Sequence, residues 1–134
     1  MAEFNGYPGL RHVLDLSSQL KLSSQQETEI QAAFEQMQSQ AKNIGKTIIS
    51  KERAWNKLLT KQLIPRPPFG QEHSEEFASG KITNIELEKQ TEELARLYGE
   101  SRKIHLQAHL QINPLLSAEQ IKKYNQIRGY EIAN

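Results

Sequence analysis

Four histidines, His12, His73, His105 and His109, give the chain its most evident capacity for coordination chemistry. His105 and His109 stand four residues apart. On a helix that spacing puts both rings on one face, where two imidazole nitrogens can meet a single ion. His73 sits beside Glu72, Glu75 and Glu76 in a proline-rich stretch and reads as part of a solvated polar loop. The chain has no cysteine, which excludes disulfides, thiolate zinc sites, iron–sulfur clusters and cysteine nucleophiles. The sequence contains no nucleophile elbow, phosphate-binding loop or carboxylate pair in an evident cleft, so the chain reads as a non-enzyme.

The elements that must hold these histidines are helices. Period-2 alternation persists nowhere and β-branched residues are few. From Ser24 to about Lys61 apolar residues fall at Ile30, Phe34, Met37, Ala41, Ile44, Ile48, Trp55 and Leu58, in steps close to a coiled-coil seam. Lys51 fills the skipped position, and Phe34 and Trp55 read as core or dimer contacts. Prolines at 65, 67 and 68 end that helix and open a loop over residues 62–82. A second long helix is expected from Asn84, as its cap, to Ile112, with the seam Leu87, Thr91, Leu94, Tyr98, Ser101, His105, Ala108 and Ile112, before Pro114 stops it. Short helices are expected over about Arg11–Leu20 and Ala118–Ile127. Gly129 closes the last one, so Arg128, Gly129 and Tyr130 read as a cap and a tail anchor.

The fold class expected is therefore all-α: a long antiparallel helical hairpin with two short flanking helices, in the order short-long-long-short, as a single domain over residues 1–134. With 37% hydrophobic residues the core is lean, and a homodimer is the economical way to bury more surface. A net charge of +1 gives no bulk field toward nucleic acid or an anionic membrane. No apolar run approaches the ~20 residues that span a bilayer, so no membrane insertion by this segment is expected. No basic-then-apolar leader opens the sequence, so the expectation is either a cytoplasmic protein or a trimmed start, and MAEFNGYPG, which begins abruptly with turn residues, reads more as the latter.

In that topology His105 and His109 face roughly residues 28–38 of the first long helix, and His12, on a short helix folding back near Lys21 to Ser23, faces roughly residue 32. Glu29, with Glu27 beside it, lies in the same turn. His12, Glu29, His105 and His109 are thus the candidate metal ligands. Three imidazoles and one carboxylate suit Zn²⁺, Ni²⁺, Co²⁺ or Cu²⁺. Four protein ligands would close the site, which fits structural or sensory binding better than hydrolysis.

One pentapeptide occurs twice, as LSSQQ at Leu22, Ser23 and Gln26 and as LSAEQ at Leu116, Ser117 and Gln120. Each fits a capping box, with Ser at the N-cap and Gln three residues on. Leu116 and Ile121 also fit a hydrophobic staple, whereas Glu27 denies one to the first copy. The doubled motif, together with NGYPGLRHVL, IISKERAW, RKIHLQAHL and IKKYNQIRGY, resembles the Spy/CpxP-type family defined by a twice-occurring Leu-Thr-x-x-Gln, with Ser in place of Thr keeping the hydroxyl cap. The proline-rich stretch from Pro65 to about Glu76 departs from that family's usual short turn.

The resemblance implies a periplasmic protein, a dimer of hooked helical hairpins, and one of two roles. The first is a stress or heavy-metal sensor or resistance protein, read by an envelope regulatory protein. Its metal-sensing members use a His, a Glu 17 residues later and a His-x-x-x-Met pair. His12, Glu29 and His105 match that pattern, and His109 stands where the Met would be. The second role is an ATP-independent chaperone that holds unfolded client proteins on a concave dimer surface, for which Lys42, Lys46, Arg53 and Lys57 are candidate cations.

Overall fold

The computed structural model describes residues 2–62 and 82–130, so the loop over 63–81, with His73, lies outside the described residues. Every regular element among the described residues is helical: a 3₁₀ turn at Glu3–Asn5, α1 (Leu10–Asp15), α2 (Ser17–Leu20), α3 (Ser24–Gln62), α4 (Asn84–Ile112), a second 3₁₀ turn at Asn113–Leu115, and α5 (Ala118–Arg128). The short-long-long-short order holds. The first short element is two helices rather than one, because the backbone at Leu16 leaves helical geometry between α1 and α2 (φ −99°, ψ 14°).

Helix ends follow local chemistry. Thr83, not Asn84, caps α4: its hydroxyl accepts from Glu86 N–H at 3.2 Å and its own N–H donates to Glu86 Oε2 at 3.3 Å. This is a capping box written as Thr-Asn-Ile-Glu. At the end of α5, Gly129 adopts φ 74° and Tyr130 N–H reaches back to the Asn125 carbonyl at 2.8 Å. That Schellman turn points the chain back on itself. Lys21 makes the same left-handed turn after α2 at φ 52° without being glycine, a conformation that costs an L-residue on the order of 1 kcal/mol.

The chain divides into two compact units. The first comprises Met1–Asn43 with Ser101–Asn134 and holds the core: Leu10, Val13, Leu20, Ile30, Ala108, Ile112, Leu116 and Tyr124 are all buried. Phe34 and Met37 of α3 pack against this cluster, as their seam positions require. The second unit, Ile44–Glu100, pairs the later part of α3 with the earlier part of α4. Lys51 Nζ meets Glu93 Oε1 at 2.8 Å, and the Tyr98 hydroxyl donates to Glu52 at 3.0 Å. Midway along α4 the inward line is turned by one residue from its expected course, before Ala108 and Ile112 take their expected buried places. Leu97 is 4% exposed while Tyr98 is 51% exposed, and Ile104 rather than His105 lies nearer the interior. One position on a helix is a rotation of about 100°. The wholly apolar Leu97 and Ile104 therefore turn inward, and the amphipathic Tyr98 and His105 stay exposed.

Candidate metal centre

The first unit contains a shallow cavity of about 170 Å³ lined by Glu3, Gly9, His12, Met37, His105 and His109, among others. Its three histidines come from two stretches of chain: His12 in α1, and His105 and His109 on one face of α4. Three of the four expected ligands therefore share one cavity. Glu29 is not among the lining residues. It stands on the exposed first turns of α3 and accepts a hydrogen bond from Gln25 at 3.2 Å. Its neighbour Glu27 accepts from the Ser17 hydroxyl. The carboxylate at the cavity is Glu3, which the periodicity could not mark because it precedes the first helix.

Each imidazole has its Nδ1 against an acceptor. His12 Nδ1 lies 2.7 Å from Glu3 Oε1. His105 Nδ1 lies 2.8 Å from the Ser101 carbonyl. His109 Nδ1 lies 3.1 Å from the Tyr7 carbonyl and 3.0 Å from that of Pro8. Carbonyls and an ionised carboxylate have no proton to offer, so these partners assign the proton to Nδ1 in all three rings. In the neutral ring the lone pair is then on Nε2. An imidazole whose other nitrogen donates to a carboxylate or backbone carbonyl is the form in which histidine ligates metals. As the side chains stand, however, no three His, Asp or Glu groups among the described residues are gathered closely enough to hold an ion.

Glu3 is the centre of a wider network. Its Oε1 accepts from the Tyr124 hydroxyl at 3.0 Å as well as from His12. Its Oε2 accepts from the Tyr130 hydroxyl at 2.6 Å and faces Arg128 Nη2 at 3.4 Å. Burial pushes the Glu3 carboxyl upward, but the hydrogen bonds from Tyr130, His12 and Tyr124 outweigh it and hold the group down at about 2. Tyr124, fully buried, is pushed up to about 12, first by burial and further by the Glu3 charge. Gly9 leaves room for this gathering: a Cβ there would stand 2.6 Å from Glu3 Oε1, 3.4 Å from His109 Cε1 and 3.5 Å from His12 Nδ1.

Beside the cavity's unit core, the two pentapeptides meet. Ser23 and Gln26 form one capping box, and Ser117 and Gln120 the other. The glutamines then bond to each other in both directions, Gln26 Nε2 to Gln120 Oε1 at 2.8 Å and Gln120 Nε2 to Gln26 Oε1 at 3.1 Å. Each amide also donates into the other copy's approach, Gln26 to the Leu115 carbonyl and Gln120 to that of Leu20. Leu116 is buried in the core and Leu22 packs against it. Both amides thereby make two donations and two acceptances, their whole capacity. A capping box tolerates Glu or Gln at its third position, but this pair requires Gln twice, because a carboxylate could not donate.

The model of the LTXXQ motif family matches residues 11–128. The chain belongs to the LTXXQ motif family. No curated protein and no solved structure matches it. Membership explains why Ser, Gln and the preceding Leu recur together: in this LTXXQ chain the motif is a pair of helix starts that lock onto each other. It also accounts for the all-helical build, and no described helix is long and apolar enough to cross a membrane.

Proposed function

We propose that this protein is a non-enzymatic, periplasmic metal-binding sensor or resistance protein that takes a divalent transition metal through His12, His105 and His109. The observation that carries this is the shared cavity whose three imidazoles all have Nδ1 engaged by backbone or carboxylate acceptors. Imidazole nitrogens suit Zn²⁺, Ni²⁺, Co²⁺ and Cu²⁺, and the Met37 thioether on the same wall adds a soft donor that favours the copper end of that series. The imidazoles of His12 and His105 are solvent-accessible, so side-chain rotation can bring their Nε2 atoms toward one ion. Membership of the LTXXQ family supports the envelope setting. An envelope regulatory protein would read the loaded state, and the ion would act by favouring one arrangement of α1 over another.

Calorimetry tests the reading. Apo protein is expected to bind about one Ni²⁺ or Zn²⁺ per chain at micromolar concentration. His105→Ala with His109→Ala abolishes the binding, and Glu29→Ala leaves it in place. Absence of heat with every one of the four metals would sink the proposal.

A second reading rests on a different surface. Lys46, Ile49, Ser50, Arg53, Ala54 and Lys57 line one open groove along α3 in the second unit, and Ile49 is 51% exposed. A strip of cations interleaved with apolar groups fits weak, adaptable contacts with unfolded clients, the chaperone role. Failure to suppress aggregation of an unrelated client at several-fold molar excess would count against it.

A further inference from the structure

Glu3 touches both the cavity and the far end of the chain. Its Oε1 takes His12 Nδ1–H at 2.7 Å, while its Oε2 takes the Tyr130 hydroxyl at 2.6 Å. Tyr124 and Arg128 close on the same carboxylate from α5. The Tyr124 hydroxyl also accepts from Gly9 N–H at 3.3 Å, so the segment from Glu3 to Gly9 is fastened to α5 at two points. Arg128 completes the clasp by lying over the Tyr130 ring at 5.7 Å. No other carboxylate among the described residues lines the cavity.

We propose that Glu3 is the positioning carboxylate through which a cation bound at the histidine cavity tightens the clasp between the N-terminal segment and the α5 terminus. The inference rests on the metal reading above. A cation on His12 Nε2 withdraws electron density from the ring and makes Nδ1–H a stronger donor, so the bond to Glu3 strengthens. Glu3 cannot follow a moving imidazole freely, because Tyr124, Tyr130 and Arg128 hold its remaining lone pairs. Loading the cavity therefore fixes residues 2–9 and 124–130 together. Coupling is reciprocal: whatever the cation does for the clasp, the clasp does for cation affinity. The output of the sensor is then the α5 terminus, roughly a hundred positions along the chain from His12 but one carboxylate away in space.

Ni²⁺ titration and hydrogen exchange, run on the wild type, Glu3→Gln and Tyr130→Phe, test the link. In the wild type, saturating Ni²⁺ is expected to slow exchange in peptides covering 2–9 and 124–130. Glu3→Gln weakens Ni²⁺ binding by about tenfold and removes the Ni²⁺-dependent protection of 124–130. Tyr130→Phe deletes the hydroxyl that donates to Glu3 and accepts from Arg128, without touching the cavity, and lowers affinity in the same direction, so the inference stays testable even where Glu3→Gln folds poorly. Ni²⁺ binding in the wild type with unchanged exchange at 124–130, or with affinity indifferent to both substitutions, overturns this inference alone. No Ni²⁺ binding at all overturns it together with the metal reading.

Discussion

At the scale of single residues, Glu3 carries the largest electrostatic consequence. Its folded-state carboxyl is held at about 2 against an ordinary 4.5, and its side chain is only 15% exposed. A group with a depressed folded pKa stabilises the fold while ionised, above its unfolded value. That stabilisation is lost as pH falls through the folded value. The window therefore runs from about 4.5 down to about 2, and the contribution at neutral pH is on the order of 3 kcal/mol. Glu3→Gln is expected to melt well below the wild type at pH 7. The gap should close between pH 5 and pH 2.5, because the wild type alone loses this term. Circular-dichroism melts across that range decide it, and two curves that stay parallel would exclude the Glu3 network as a source of stability.

At the scale of elements, the doubled pentapeptide acts as one device. Gln26→Glu keeps the oxygen that accepts from Ser23 N–H, so the capping box survives, but it loses both donations across to the second copy. The expected cost is about 1–3 kcal/mol, from the acceptors left unpaired at a partly buried site. Gln26→Glu combined with Gln120→Glu should cost more than the sum, since two carboxylates would then face each other. Urea unfolding of the singles and the double measures this, and an additive result would mean that the glutamines act as independent caps.

The same residues show what a sequence can disclose. Ser23, Ser117, Gly129 and the prolines announce helix ends because capping is chemistry between residues three to five positions apart. Four-residue spacing placed His105 and His109 on one face for the same reason, and topology brought His12 to them. The Glu3 network joins residues 121 and 127 positions apart, and nothing within MAEFNGYPG signals it. Helix register and likeness to metal sensors both point to Glu29, yet the N-terminal segment folds a different carboxylate, Glu3, into reach of His12. The repeated Gln was visible, but their meeting was not. The available clue was that both copies use Gln where Glu would cap as well.

At the scale of the whole molecule, apolar burial is unevenly shared. The core cluster lies entirely in the first unit. Among the described residues of the second, the buried hydrophobic ones are Ile48 and Leu97, while Ile49, Leu58, Leu59, Ile85, Leu87 and Tyr98 are exposed. Helical hydrogen bonds with so little packing open readily, because tertiary burial of an apolar face supplies most of a helix's stability in water. The surface pair Lys51–Glu93 adds little to that, although the Lys51 hydrogen bond does lower the Glu93 carboxyl. Gly45 and Gly99, with open space around them, weaken the same two helices further. We propose that a second copy laid against these exposed side chains supplies further burial, forming a homodimer. Amides of 44–62 and 84–100 should therefore exchange faster than those of 26–37 and 104–112 in dilute protein, and slow as concentration rises through the dimer's dissociation constant. Sedimentation velocity on the same samples fixes that constant. Exchange in the second unit that ignores concentration, while the sedimentation coefficient rises, would place the dimer contact on the first unit instead.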